Sequence, residues 1–573
     1  MQQQLIAVQS DMDDLRQQMG IRSATPVLPD VAPPPPQPAA YVPPITGGYG
    51  PLLLLESDDS IPDILPNGID GARGELLVTM DSAAARTLAV DNPEPDNLRE
   101  LHNLKEHYAV QFPLIYGVDY DDLAQTRWAV IVNSTDDAAV LKALTPLIAH
   151  RSRQQGITLP PLTFRTGETC GEWLARHLPD PTVPWQQRPP VLLYHPGETC
   201  TAWLERHGVT HAPVDPVRGV PFYLLLVGRP GPVYASDTAY IDYSFQYELD
   251  MFWGVGRLCF NDAQGRHVLS DYTAYAEQVV DFEQGSPTLN KHVVYFGTRH
   301  DLDTATERSA DELITPLVEG HSGKPGPAPD TGFTQSVFLA GDATRTNLER
   351  ILRGDIEHGP PALLFTATHG IGLPADDPRL LMQQGALLCQ DWTGFGNIQR
   401  EHWFAAEDLE TATRVSGLIA VCFACYGVGC PHEDEFVFVP GKPRPVIAPY
   451  PLVAQLPQRL LARGALAVLG HVDRAWSYSF SGINVPAQSQ PFEDVLIRAL
   501  SGGRMGFVTD QLNLRQGAAS SLLTNTIEQA QRGLPVDTRN LAALWVARND
   551  ARNYALLGDP AVRLPMEATD TRQ

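Results

Sequence analysis

Short apolar runs without polar alternation recur along the chain from about residue 220 onward. Strands buried on both faces have this pattern, because neither side of such a strand meets water. The predicted strands are 220–228, 293–297, 336–340, 362–366, 418–422 and 465–469, and helical spacing predicts helices at Asp311–Val318, Thr346–Leu352 and Leu452–Ala462. Strands that alternate with helices are typical of a mostly parallel sheet covered on both sides, so the predicted fold class is α/β.

The first 215 residues have a different pattern. Apolar positions in 1–20 are spaced as in a helix, and the proline-rich stretch 26–44 predicts an extended linker after it. Further on, Thr166–His177 returns as Pro196–His207, with Cys, Trp, Leu, Arg and His at the same spacing. We interpret each copy as a turn and a short helix whose Trp and Leu pack inward, and a Cys2His2 metal site is the alternative.

Composition and charge exclude several classes of protein. The 573 residues carry a net charge of −25, which argues against nucleic-acid binding because phosphate contacts need a basic face. Seven cysteines, an odd number, argue for thiols in a reducing compartment rather than a disulfide framework. The sequence has no apolar run long enough to span a membrane and does not begin like a secretory signal. We therefore expect a cytoplasmic protein without membrane or nucleic-acid partners.

Reactive residues follow two of the predicted strands directly. His369 and Gly370 come after the run at 362–366, and Cys425 comes 56 positions later, after the run at 418–422. If these strands are neighbours, the imidazole and the thiol meet at one edge of the sheet. A thiolate that attacks a carbonyl and an acid that protonates the departing amine are what a peptidase needs. The N–H groups of Gly370 and Cys425 are candidates for an oxyanion hole.

A zinc cluster is the rival interpretation of the same place. Cys422, Cys425, Cys430 and His432 have suitable side chains for it. However, Cys422 lies inside the apolar run, where its side chain would point into the packing of the sheet. We therefore predict no metal at this site.

The order of these blocks resembles the caspase–gingipain–separase group of cysteine peptidases. Three further blocks are similar to the gingipain branch and its bacterial relatives: Phe245–Asp250 with Gly254–Leu258, Gly464–Trp476, and Leu557–Ala561. The resemblance covers roughly 220–565. It implies a cysteine endopeptidase in which Cys425 is the nucleophile, His369 the acid and base, and Gly370 a donor to the oxyanion.

The resemblance also implies an architecture. The fold would be a caspase-like sandwich, a mostly parallel central sheet flanked by helices, with an N-terminal extension. The predicted domains are 1–48, a helix and proline-rich linker; 49–215, a prodomain or regulatory region of unknown role; 216–290, a gingipain-like first subdomain; and 291–573, the catalytic domain.

Specificity depends on the charge in the pocket for the residue before the cut. The resemblance implies that Trp476 would form a wall of this pocket. It also implies that Asp301 or Asp303 would bind an arginine or lysine side chain. Arg299 in the same loop permits the opposite preference, for aspartate. An acidic residue orients the histidine in some relatives, and Glu277 is a candidate for that role.

We expect from these blocks an endopeptidase that cuts protein or peptide substrates after Arg or Lys, in regulated proteolysis or bacterial defence signalling. The alternatives are an Asp-specific caspase-like protease and a catalytically silent scaffold. No cofactor is expected, and a calcium requirement stays open. An acidic and proline-rich insertion between Pro431 and Ile447 follows the nucleophile, as activation loops do in caspase-type enzymes. Processing there or in 49–215, by the enzyme itself or by an upstream activating protease, would make the chain a zymogen.

Overall fold

The structure is a computed structural model of the chain, and it describes residues 66–77, 82–91, 114–211, 213–285, 289–321, 323–437, 442–481 and 487–565. All of these residues belong to the unit Asp59–Gln573, and the other unit, Met1–Asp58, contains none of them. The helix and linker predicted within 1–44 therefore lie outside the described residues.

The strands are described by their bounds in chain order. They are β1 (Gly68–Asp70), β2 (Trp128–Asn133), β3 (Val191–Tyr194), β4 (Tyr223–Val227), β5 (Gly254–Leu258), β6 (His292–Gly297), β7 (Thr334–Leu339), β8 (Leu363–Ala367), β9 (Gly370–Gly372), β10 (Leu387–Leu388), β11 (Trp403–Phe404), β12 (Ile419–Phe423), β13 (Gly429–Cys430), β14 (Leu452–Val453), β15 (Ala467–His471) and β16 (Tyr554–Gly558).

The main sheet has ten strands, in the order β3-β2-β4-β5-β16-β15-β12-β8-β6-β7. Neighbouring strands are parallel throughout except at β15 and β16, which pair antiparallel from Ala467 opposite Gly558 to His471 opposite Tyr554. The sheet thus consists of two parallel halves that run in opposite directions and meet at this pair. The carboxyl ends of β8, β12 and β15 consequently share one edge. The predicted mixed α/β fold with a large, mostly parallel sheet is confirmed.

Helices lie between the strands and flank the sheet. The α-helices are Ser82–Arg86, Leu123–Thr126, Ala139–Ala143, Thr145–Gln154, Cys170–His177, Cys200–Arg206, Tyr243–Leu249, Leu269–Gln284, Thr304–Arg308, Thr315–Glu319, Pro327–Asp330, Arg345–Arg353, Leu380–Gln383, Gln455–Ala462, Gln490–Leu500, Met505–Val508, Asp510–Gln531 and Thr538–Arg552. In the described part of the chain, no helix is both long and apolar enough to cross a membrane.

All six predicted strands are present, but the sheet extends beyond them. β2 and β3 come from the region before 215, and they continue the same sheet as β4. The predicted helix at 311–318 is a π-helical turn, Ser309–Ile314, followed by Thr315–Glu319. The predicted helix at 452–462 is the short strand β14 and then Gln455–Ala462. The four domain boundaries stay a prediction.

The duplicated segment forms two equivalent packing units. In each, a tryptophan is fully buried at the centre of a short helix, and its ring N–H donates to a backbone carbonyl. Nδ1 of His177 lies 2.8 Å from the carbonyl oxygen of Trp173, and Nδ1 of His207 lies 2.9 Å from that of Trp203. Both histidines therefore bond within their own helix, which favours packing over a shared Cys2His2 site.

Asp559, just after β16, ties the amino-terminal part of the sheet to its centre. Its carboxylate accepts from Nε1 of Trp128 at 2.8 Å and from Nε of Arg151 at 2.7 Å. Its backbone N–H donates to the hydroxyl of Tyr275 at 2.7 Å. The carboxylate and the guanidinium are both fully buried. A buried carboxylate needs such partners, because removing one of them leaves an uncompensated charge.

Candidate active site

His369 and Cys425 lie at matching positions on neighbouring strands. β8 and β12 pair in parallel, and the register sets Ala367 opposite Phe423. Each reactive residue therefore stands two positions beyond a paired strand end. The two loops are in direct contact, because a Cβ added to Gly370 would lie 1.8 Å from the carbonyl oxygen of Cys425. The structure thus brings the predicted histidine, glycine and cysteine together at one edge of the sheet.

Asp303 is the acidic partner of His369. Its Oδ2 lies 2.6 Å from Nε2 of His369 and accepts from the hydroxyl of Thr306 at 2.8 Å. Burial acts to raise the pKa of Asp303, but the charge and hydrogen bond of His369 and the hydroxyl of Thr306 outweigh it and hold the pKa well below its usual value. Glu277, the sequence candidate for this role, lies exposed on the helix Leu269–Gln284.

The other ring nitrogen of His369 is buried and has no hydrogen-bond partner within the described residues. With Nε2 held by Asp303, Nδ1 is the nitrogen available to exchange a proton with a reacting group. A carboxylate that holds one ring nitrogen in this way can orient an imidazole that serves as a general acid and base.

The thiol of Cys425 is completely buried. The backbone N–H of Ala475, in the loop after β15, donates to its sulfur at 3.3 Å. Burial raises the pKa of the Cys425 thiol well above its usual value. The sulfur is therefore a neutral thiol here, although it already has a backbone donor suited to a thiolate.

A segment from the amino-terminal side of the chain covers this thiol. We call residues 66–77 the cleft segment. The carbonyl oxygen of Asn67 accepts from the N–H groups of Gly370 and Cys425, each at 3.1 Å. The N–H of Asn67 donates to the carbonyl of Ala475 at 2.7 Å. A Cβ added to Gly68 would lie 2.5 Å from the sulfur of Cys425. The peptide bond between Asn67 and Gly68 is thus held beside the thiol, with its carbonyl oxygen between two converging donors.

Strand pairing fixes the cleft segment on both sides of this bond. Pro66 pairs antiparallel with Trp476, and β1 pairs in parallel with β9, with Gly68 opposite Gly370. After β1 the chain turns back, and Leu77 N–H donates to the carbonyl of Gly68 at 3.1 Å. Addition of a strand to an open edge is a common way in which proteins hold extended peptides. The sequence did not single out Asn67 or Ala475, because neither has reactive chemistry or a distinctive neighbourhood.

Trp476, Asp301 and Asp303, the residues predicted to form the specificity pocket, differ in burial and in their contacts. Trp476 is fully buried, its backbone N–H donates to the carboxylate of Asp550 at 2.9 Å, and its ring packs on Phe436. The side chain of Asp301 is 92% exposed and lies 3.8 Å from Arg299, which also bonds to Asp311. Of the two carboxylates predicted to face a basic substrate, Asp303 therefore contacts the histidine and Asp301 faces solvent.

The described ends of the insertion after Cys425 pack beside Trp476. Glu433 pairs with Val446, Asp434 accepts from Arg474 at 2.7 Å, and Phe436 packs against Trp545. Residues 438–441 lie outside the described part. The insertion thus supports one wall of the cleft, and its role in activation stays a prediction.

Groups that could hold a metal were also sought among the described residues. The set found there consists of Cys200, His211 and Glu248, all buried, with ligand atoms within 4.8 Å of one another. The cysteine cluster around Cys425 is not such a group in the described chain, and Cys422 lies within β12, as expected.

A separate cavity of about 320 Å³ lies in the other half of the sheet. Asp136, Arg229 and His267 are among its lining residues, and none of the lining residues belongs to the cysteine site. The catalytic candidates therefore do not line this cavity.

Comparison with known proteins gives distant structural similarity alone. No protein-family model and no curated protein matches the chain. Among solved structures, the chain is similar to one described as "Structure of Protease", at 12% identity and a TM-score of 0.39, over 76% of this chain and 78% of that one. It is also similar to a separase–securin complex from Saccharomyces cerevisiae, at 10% identity and a TM-score of 0.27, over 59% of this chain and 16% of that one. At these values the similarity does not extend to activity.

Proposed function

We propose that this chain is a cysteine endopeptidase that its own cleft segment holds in a latent state. One observation carries the proposal. The carbonyl oxygen of Asn67 accepts from both N–H groups that would form an oxyanion hole, at 3.1 Å each, and a Cβ added to the next residue would lie 2.5 Å from the sulfur of Cys425. A scissile carbonyl needs this position relative to a nucleophile and its oxyanion donors. The resemblance of the sequence blocks to the caspase–gingipain group supports the same class.

Each residue has a distinct part in the proposed reaction. The sulfur of Cys425 attacks the carbonyl carbon as its proton passes to His369, and Gly370 and Cys425 donate to the oxyanion. Nδ1 of His369 then protonates the departing amine, while Asp303 holds the ring by Nε2. Water hydrolyses the resulting thioester and restores the thiol. Cleavage after Arg or Lys, as expected from the resemblance, stays a prediction.

The test is hydrolysis of fluorogenic peptides that end in Arg, Lys, Asp or Asn. The full chain and its Gly68→Val variant, whose added side chain would collide with the thiol, are assayed beside Cys425→Ala and His369→Ala. We expect hydrolysis that both of the latter variants abolish. If neither the wild type nor Gly68→Val cuts any of these peptides or a protein substrate, the chain is a peptide-binding scaffold instead.

Replacing Gly370 with alanine is expected to lower kcat by about 10²–10³-fold, the usual cost of one lost oxyanion donor. The new Cβ would lie 1.8 Å from a backbone oxygen, so the loop that carries the N–H must move. Steady-state kinetics together with thermal melting separate this effect from misfolding. Gly341→Ala is the matched control, since its Cβ would meet nothing within 4 Å. Unchanged kcat in Gly370→Ala would remove this N–H from the proposed oxyanion hole.

A further inference from the structure

We propose that the pocket for the residue before the scissile bond binds asparagine. We also propose that Asn67–Gly68 is a bond that the enzyme cuts in its own chain. The inference rests on the proposed function and names its substrate class. Because the carbonyl of Asn67 lies between the two oxyanion donors, Asn67 is the residue immediately before the bond under attack. Its side chain therefore occupies the position that sets specificity.

The surroundings of this side chain suit a neutral amide. Asn67 is 2% exposed, and its Nδ2 donates to the carbonyl of Thr368 at 3.4 Å. A carbonyl accepts from an amide NH₂ group and repels a carboxylate, so this contact distinguishes asparagine from aspartate. The carboxylate of Asp303, which a basic side chain would need, bonds instead to His369 and Thr306. A buried charge requires a partner, and Asp303 is therefore not free to be the partner of an arginine or lysine in this pocket.

The residue after the bond is restricted as well. A Cβ at position 68 would lie 2.5 Å from the sulfur and 2.6 Å from the Cβ of Cys425. At position 68, only glycine fits between the side chains of Cys425 and Leu77 in this register. β1 then continues along β9 and holds the departing side of the bond. The substrate class is thus an extended segment with asparagine followed by glycine.

The reaction balances as a hydrolysis. The C–N bond between Asn67 and Gly68 breaks as a thioester forms between Cys425 and the carbonyl carbon of Asn67. The amine of Gly68 leaves with the proton that His369 took from the thiol. One water molecule then cleaves the thioester, which leaves a carboxylate on Asn67 and the thiol on Cys425.

The experiment follows the amino terminus of the full chain in reducing buffer by intact mass and terminal sequencing. We expect a fragment that begins at Gly68 in the wild type and not in Cys425→Ala. Asn67→Asp and Asn67→Gln are expected to slow its formation by about tenfold or more, the worth of one buried hydrogen bond. Arg73→Gln is the matched control, because Arg73 is exposed in the turn of the same segment and is the site that an Arg-specific protease would use.

Each outcome decides between the two proposals. A fragment that begins at Gly74, or a chain that stays intact while peptides ending in Arg are hydrolysed, overturns the inference and leaves the proposed function standing. An internally quenched peptide with Pro-Asn-Gly at its centre, cut no faster than its Pro-Arg-Gly and Pro-Asp-Gly counterparts, also overturns it. Absence of any Cys425-dependent cleavage, of the chain or of peptides, contradicts the proposed function itself.

Discussion

Replacing Gly68 with valine is expected to expose Cys425 and to speed its alkylation by iodoacetamide about ten- to a hundredfold. The new Cβ would lie 2.5 Å from the sulfur, and overpacking of this kind costs about 1–3 kcal/mol. Gly68 is not among the residues with a positive φ angle, and valine suits a strand, so the backbone itself is not strained. We therefore expect the cleft segment to detach from its place beside Cys425. Exposure also removes the burial that raises the pKa of the thiol, so more thiolate forms at a given pH.

The measurement maps the alkylated peptide by mass spectrometry over time, on chains whose intact mass shows an uncut cleft segment. Mapping is needed because the chain has six other cysteines, all buried as well, and total alkylation would not identify which thiol reacted. Ala72→Val is the matched control, since Ala72 is exposed in the turn of the same segment. Equal alkylation rates in folded Gly68→Val and wild type would mean that the segment does not shield the thiol.

Replacing Asp303 with asparagine is expected to lower kcat by about 10²–10⁴-fold, the range of a general acid–base contribution, with little change in KM. The amide has the shape of the carboxylate but cannot stabilise a protonated imidazole as a charge does. Asp303 has no hydrogen bond to the cleft segment, so substrate binding should be spared. Asp301→Asn, in the exposed part of the same loop, is the control. A change in preference between Arg and Asn peptides at constant kcat would instead place Asp303 in the specificity pocket.

The same variant has an effect on stability with a defined sign. The folded-state pKa of Asp303 is depressed, so its ionised form stabilises the fold above the unfolded-state value and this contribution is lost as the pH falls through the folded-state value. Asp303→Asn should therefore melt at a lower temperature than wild type at pH 7, and the gap should narrow below about pH 4. A gap that widens in acid would contradict an ionised carboxylate beside His369.

The catalytic strand ends were predictable because buried strands leave unbroken apolar runs. A histidine or cysteine directly after such a run stands out, and parallel pairing then brings the ends together. β2 is equally apolar, but we did not predict it. Strand–helix alternation is present in that region of the structure, but its helices between 139 and 206 are at most ten residues long, so the sequence pattern did not reveal it.

Asp303 and the cleft segment show what a local pattern does not encode. A carboxylate between a strand and a helix can cap the helix, face a pocket or orient a neighbouring ring, and loop sequence carries no period that sets its direction. Pro66, Asn67 and Gly68 have turn-forming composition. Their importance depends on contacts such as that of Asn67 with Thr368, 301 positions away. Such a partnership depends on the assembled tertiary structure.

Asp559 limits where the chain can be shortened. Arg151, which neutralises its buried carboxylate, and Trp128, which donates a hydrogen bond to it, lie far upstream of the resemblance to peptidases. A protein expressed from residue 216 would retain Asp559 but lose both partners, a change that typically costs about 3–5 kcal/mol at a buried ion pair. Removal of 128–215 would also expose the edge of β4 that pairs with β2. Any maturation that removes an amino-terminal piece and leaves the fold intact must therefore cut before Trp128, which makes the expendable amino-terminal part of this protein much shorter than the sequence suggests.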